Sequence, residues 1–305
     1  MATREYSPDE IRNSLIKVSR KNFYEVSWNI RKQVALDFIE NNTNVSLSGI
    51  LDCIEDFEEQ HLCRLEVVAS DKDSAIGEQE FYTGNVDITR SSNASNRSNA
   101  ETRLSRSRRY AEVASQSIIA YGYGHFDIIA ELGAGYGINL FRLSELFTYS
   151  PRFIAAEISD AGRDLCSMLN EHKRKGNIEP LAFDHRAPDL SFAEGIQSLL
   201  VITCHSIEQV QALPAQFFPA IARAAPRVVG IHFEPFGFQV DGTTERAQRH
   251  LEFMKKQSFN ENFHACLTSA EHDGHLRIRN VELEVLDHQY ENPTSLAVWD
   301  NNTLD

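Results

Sequence analysis

The segment Ile129-Ala130-Glu131-Leu132-Gly133-Ala134-Gly135-Tyr136-Gly137 constrains this chain more than any other. A short apolar run ends in an acid, glycines follow at alternate positions, and a helical pattern runs on from Asn139 to Tyr149. An apolar run of this length bounded by glycine reads as a buried strand. Glycine permits the positive-φ turn that takes the chain directly into a helix, and it lets backbone approach a ligand where a Cβ would clash. A strand entering a helix this way is the opening unit of an open α/β sheet. The amide groups at such a helix start favour an anion. The carboxylate of Glu131 can accept from a cationic amino group or a hydroxyl.

Downstream, apolar strands and amphipathic helices alternate, as in a doubly wound parallel sheet. Strands are expected at Phe126–Glu131, Arg152–Glu157, Glu179–Phe183, Ser198–Thr203 and Arg227–Phe233. A strong amphipathic helix follows at Glu245–Gln257, then two late strands, Leu276–Leu286 and Ser295–Trp299. In an open parallel sheet, ligands bind at the carboxyl ends of the strands. The second strand ends in Glu157-Ile158, and a carboxylate there can accept from both hydroxyls of a diol. The third ends in Asp184-His185, where the acid serves equally well as an ordinary loop residue. The spacing Glu131, Glu157, Asp184 is one βα unit each.

The acid two residues before the first of three alternating glycines resembles the first motif of the class I S-adenosylmethionine methyltransferases. The five alternating units and closing pair of strands resemble their seven-stranded sheet over roughly residues 105–305. The resemblance implies an α/β, Rossmann-like, doubly wound sheet, mostly parallel with an antiparallel last strand, beside an N-terminal helical region. It implies S-adenosyl-L-methionine as cofactor and S-adenosyl-L-homocysteine as product. It places Glu131, Gly133, Ala134, Gly135, Gly137, Glu157, Ile158, Asp184 and His205 around that cofactor, with Glu157 on the ribose and Asp184 on the adenine amine. The competing dinucleotide fingerprint, G-x-G-x-x-G, requires a third glycine where this chain has Ile138.

Strand four ends in Cys204-His205-Ser206-Ile207-Glu208-Gln209, where the family points its transferred methyl. The Asn/Asp-Pro-Pro-Tyr/Phe segment of the base-amine and release-factor enzymes is absent, as is the paired-glutamate loop of the arginine enzymes. Strand five ends in His232-Phe233-Glu234-Pro235. His205, Glu208, His232 and Glu234 are the candidate catalytic residues, with Gln209 beside them. His232 and Glu234 alternate onto one side if the strand continues. These two segments are similar to enzymes that N-methylate asparagine side chains of ribosomally made peptides in bacterial secondary metabolism. A carboxamide nitrogen is a poor nucleophile, so groups that orient it and take its proton suit that chemistry. Two rivals stand: O-methylation of a sugar or small metabolite, and a non-catalytic cofactor- or peptide-binding partner on the same fold.

Before the sheet, Ser7-Pro8-Asp9-Glu10 has the pattern of a capped helix start. Apolar spacing predicts helices through Ile11–Val18 and Phe23–Ile39, then Ser46–Phe57 and Glu59–Val68. Residues 1–84 thus form a helical, substrate-covering region. Residues 85–109 form a polar loop or lid ending in Arg103, Arg106, Arg108 and Arg109, and residues 110–305 form the sheet domain. The four arginines read first as a solvated helix face.

The five scattered cysteines lack Cys-x-x-Cys spacing, which points to reduced thiols in a cytoplasmic protein without zinc or disulfides. No apolar run approaches a membrane span and the start is no signal peptide. A net charge of −14 argues against nucleic acid as the main substrate. A peptide or small molecule is the expected partner, with homodimer formation open.

Overall fold

The computed structural model describes residues 7, 9–10, 16–19, 22–61, 65–68, 103–120, 123–172, 178–286 and 292–301. The polar run Ser91–Asn99, and the boundary between residues 84 and 85, lie outside them.

Nine strands appear among the described residues. β1 (Ile16–Ser19) and β2 (Leu65–Val68) form a small parallel pair. The main sheet holds β3 (Ile128–Leu132), β4 (Arg152–Glu157), β5 (Ile178–Ala182), β6 (Ser198–Cys204), β7 (Arg227–Glu234), β8 (Arg277–Leu286) and β9 (Thr294–Asp300). Its order is β5-β4-β3-β6-β7-β9-β8, with β9 antiparallel to both neighbours and the remaining pairs parallel. This is the Rossmann-like seven-stranded arrangement expected from the sequence. The order reverses at β3, which lies between β4 and β6, so the crevice at the β3 end is the topological switch point.

β3 is buried along its whole length, as a central parallel strand covered on both faces must be. Period-two alternation sends Ile129, Leu200 and Val229 to one core and Ile128, Leu199 and Val228 to the other. The first core is closed by α3 (Arg103–Ala120), α4 (Ile138–Ser144) and α5 (Asp160–Asn170). The second is closed by α6 (Phe217–Ala222) and α9 (Phe263–His272). α4 is shorter than the pattern to Tyr149 predicted; the Tyr149 hydroxyl instead accepts from the Phe126 amide.

The N-terminal helices are α1 (Phe23–Asn41) and α2 (Leu47–His61). α1 packs Phe23, Val26, Ile30 and Val34 into a third core with Phe238 of α7 (Gly237–Val240), Ala247 and Met254 of α8 (Glu245–Gln257), and Phe259. α1 also lies along α5, whose first amides, Asp160 and Ala161, donate to the Glu25 carboxylate at 2.9 and 3.0 Å. The buried Arg142 of α4 donates to Asp52 and Glu55 of α2 at 2.5 and 3.1 Å. The N-terminal region is therefore bound to the sheet domain through polar groups at both helices.

Two helix expectations are corrected. Ile16–Ser19 and Leu65–Val68 are strands: Ile16, Val18, Val67 and Val68 are β-branched and favour extended backbone, and each segment pairs with the other. α2 runs on to His61 rather than breaking before Glu59. At the start, Ser7 and Glu10 exchange the reciprocal bonds of a capping box.

Candidate functional site

A cavity of about 1380 Å³ opens at the carboxyl ends of β3 to β6, roofed by α1 and the segment around Phe259. Single-ligand pockets run to roughly 1,000 Å³, so there is room for two molecules side by side.

The glycine turn forms its floor. Gly133, Gly135 and Gly137 all have positive φ, at +76°, +56° and +80°. A Cβ on Gly133 would meet the Ser206 side chain at 2.3 Å, and one on Gly135 would meet the Trp28 ring at 2.9 Å. Gly133, Ala134 and Gly135 line the cavity. Gly137 does not; it caps the start of α4, and a Cβ there would crowd the Cys166 sulfur at 3.3 Å.

Glu131 lines the cavity with 1% exposure. Its Oε1 accepts from Asn139 at 2.6 Å, while its Oε2 is buried without a partner among the described residues. Burial pushes its pKa up to about 8, against the lowering effect of Asn139. A buried acceptor without a donor is costly, and here it faces a space that a cation would fill. Glu157 also lines the cavity; its carboxylate accepts from the Gly135 amide at 2.8 Å and the Ser159 amide at 2.9 Å. Desolvation raises its pKa, and those two amides lower it. Ile158 is exposed at the rim. Asp184 reaches the cavity already gripped by Arg186 at 2.7 and 2.9 Å, which holds its pKa below the usual carboxylate value.

His205 and Glu208 meet at the far wall. The His205 Nδ1 lies 3.3 Å from Glu208 Oε2, and its Nε2 lies 2.6 Å from the Thr294 hydroxyl. That hydroxyl is 3.3 Å from the phenol of Tyr110, and Asn292 donates to Glu208 at 2.8 Å. His205 itself has φ of +50°, a strained backbone for a side chain with a Cβ. The ring is thus clamped on both nitrogens, with one edge toward the cavity.

Glu234 does not line the cavity. Its fully buried carboxylate lies behind the turn and accepts from the Ser206 and Ile207 amides, each at 3.2 Å, and Glu208 at 3.4 Å. Desolvation pushes its pKa up to about 7. Its role here is to hold the backbone that carries His205 and Glu208.

His232 is further removed. It has 0% exposure, and its ring accepts from Trp299 Nε1 at 2.8 Å and contacts Thr203 at 3.0 Å. Burial drives its pKa down to about 3, so it is a neutral core residue. The expectation that His232 reaches the reacting atoms is corrected: it sits two residues inside the strand end, among Phe218, Phe263 and Trp299. Gln209 lines the cavity and donates to Glu208 at 2.9 Å.

Among the lining residues that sequence reasoning missed, four bear on the chemistry. His185 lies against Gly133, buried, with both ring nitrogens unpartnered among the described residues and its pKa lowered to about 4 by desolvation. Its position beside Asp184 at a strand end was the available signal. Trp28, Tyr110 and Arg31 arrive from helices, and nothing local marked them. Arg108 of the basic run is a surface residue, paired to Asp52 at 3.2 Å, as a solvated helix face would have it.

No protein-family model matches the chain, and no curated protein matches it either. Among solved structures it is similar to a magnesium protoporphyrin IX methyltransferase from Synechocystis PCC 6803 with bound SAH. The two are 15% identical, with 66% of this chain and 85% of that chain covered and a TM-score of 0.44. It is also similar to the PH0226 protein from Pyrococcus horikoshii OT3, at 16% identity, 67% and 94% coverage and a TM-score of 0.44. The plantazolicin methyltransferase BpumL, in complex with a pentazolic desmethylPZN analog and SAH, gives 8% identity, 66% and 86% coverage and a TM-score of 0.45. Likenesses this distant leave the strand order and the cavity of this chain to speak for themselves.

Proposed function

We propose that this chain is an S-adenosylmethionine-dependent methyltransferase acting on a side-chain amide nitrogen, asparagine in the first instance, of a ribosomally made peptide. One observation supports the cofactor reading above the others: the buried, unpartnered Oε2 of Glu131 beside a turn of three left-handed glycines. The chemistry of the residues present fits that group. Glu131 would take the ammonium, the turn would pass under the amino-acid portion, and Glu157 would accept from the ribose hydroxyls. The cofactor supplies a methyl group made electrophilic by its sulfonium.

The chain's own residues would do the rest. An aligned acceptor needs to be held near its target and shielded from water. The cavity is walled by Phe23, Tyr24, Trp28, Tyr110 and Phe259, which suit the task of displacing solvent. His205 can take a proton from the acceptor by way of the Thr294 hydroxyl, which gives its own proton to Nε2 as it accepts one, with Glu208 on Nδ1 favouring the charged ring that results. Thr294 and Tyr110 fix the ring plane. An amide nitrogen requires such help, which favours it over an amine that needs none. An alcohol would use the same base, so O-methylation remains the rival.

Incubation of the chain with S-adenosylmethionine and either asparagine-containing peptides or small alcohols, read by mass spectrometry, tests this. A gain of one methyl group on peptide is expected; modification of alcohols alone would sink the peptide reading. Calorimetry with S-adenosylhomocysteine separates the non-catalytic alternative: binding without turnover of any acceptor favours it.

A further inference from the structure

α1 was expected to cover a substrate, yet its Trp28 sits on the glycine turn. The indole lies where a Cβ on Gly135 or Gly162 would reach it at 2.9 or 3.2 Å. Its placement is fixed on several sides. The Arg31 side chain lies 4.3 Å over the ring, Tyr136 meets it edge-on at 5.5 Å, and Tyr24 stacks at 6.3 Å. The helix beneath is anchored by Glu25 on the amides of Asp160 and Ala161. The indole lines the cavity, and its Nε1 is buried with no hydrogen-bond partner among the described residues. A buried indole N–H ordinarily has one.

The backbone offers less to an anion here than the sequence suggested. The Gly135 amide, an obvious donor for a ligand carboxylate, is already bonded to Glu157. The Gly133 and Ala134 amides are bonded to the Ala156 carbonyl, and the Gly137 amide to the Ala134 carbonyl. A carboxylate at this turn therefore finds these four amides already taken, and a side-chain donor beside the turn would serve it. Two unmatched atoms of opposite character border the same turn: the acceptor Glu131 Oε2 and the donor Trp28 Nε1. An ammonium and a carboxylate on a single carbon present the complementary pair.

We infer that Trp28 is a binding residue for the amino-acid end of the cofactor, donating its indole N–H to the carboxylate while Glu131 takes the ammonium. The inference rests on the cofactor reading above. It makes α1 part of the cofactor site and gives the site a means of telling an intact amino acid from a decarboxylated one.

Titration calorimetry of the full chain with S-adenosylhomocysteine, and with its decarboxylated analogue that keeps the amine, provides the test. Trp28→Phe keeps an aromatic ring and removes the donor. It is expected to weaken S-adenosylhomocysteine about tenfold or more, the loss of a hydrogen bond to a charged group. It should change the decarboxylated analogue by less than about twofold. Equal weakening of both ligands would mean that the indole only packs, and would overturn the inference. Unchanged affinity for S-adenosylhomocysteine in the variant would overturn it too, leaving the cofactor reading standing. A wild-type chain that binds neither ligand would remove both.

Discussion

The Glu234 carboxylate accepts the backbone amide of Ser206 at 3.2 Å, and so ties the end of one strand to the turn after another. With the Ile207 and Glu208 amides it makes one acid the anchor of the segment that carries His205 and Glu208. Removing it leaves three buried amides unsatisfied. Glu234→Ala should cost about 2–4 kcal/mol of stability in urea unfolding. Glu234→Gln, which keeps one acceptor oxygen, should cost less than half as much. Equal losses would mean that the charge, rather than the acceptor, holds the turn.

His205→Ala removes the base and leaves the glycine turn intact. Turnover should fall by about 10²–10⁴ while affinity for S-adenosylhomocysteine changes little. Thr294→Val should lower turnover more mildly, because it frees one nitrogen of the ring without removing it. Single-turnover methylation and calorimetry on the same preparations check both.

Gly133→Ala places a Cβ 2.3 Å from the Ser206 side chain at a φ of +76°. Strain and overlap together should cost about 2 kcal/mol or more. Gly135→Val drives into the Trp28 ring and should abolish S-adenosylhomocysteine binding. A Gly135→Val chain with wild-type affinity would remove this turn from the cofactor site.

Glu131 carries a pKa of about 8 in the folded chain against an ordinary 4.5. It takes up a proton on folding, so its stabilising effect is full below pH 4.5 and is lost as the pH rises toward 8. Glu131→Gln should therefore gain stability relative to wild type across that window, as thermal denaturation at a series of pH values would show. A bound ammonium favours the ionised form. Affinity for S-adenosylhomocysteine should climb with pH toward 8 and level off above it, and Glu131→Gln should flatten that rise.

His232→Leu should lower stability by about 2–4 kcal/mol, since it strips Trp299 of its acceptor inside a packed core. Affinity for S-adenosylhomocysteine should stay within about twofold of wild type. A specific loss of turnover with unchanged stability would return His232 to the reacting centre.

The sheet was legible because its strands are continuous apolar runs ending in recognisable residues. Ile128–Leu132 and Arg152–Glu157 sit within two residues of their expected bounds. Glu131, Glu157 and Asp184 do meet one cavity, because βα units of equal length bring successive strand ends to one rim. Alternation along β7 was a weaker guide. It groups His232 with Glu234 but says nothing of depth, and the strand runs one residue further than its apolar pattern, burying the histidine. The four-residue strands at Ile16 and Leu65 are too short to separate from a helical period. Trp28, Tyr110 and Thr294 join the site through long-range packing, and a local pattern carries no trace of that.

β9 contributes Thr294 to the His205 ring, and in the sheet it lies between β7 and β8, although it follows both in the chain. β8 lies at the edge and, among the described residues, pairs with β9 alone, so β9 joins it to the rest of the sheet. One strand therefore both closes the sheet and supplies the hydroxyl that steadies His205. A chain with β9 displaced keeps the glycine turn and Glu131 but lacks a fixed base: the means to hold a ligand is independent of that strand, and the means to use it is not.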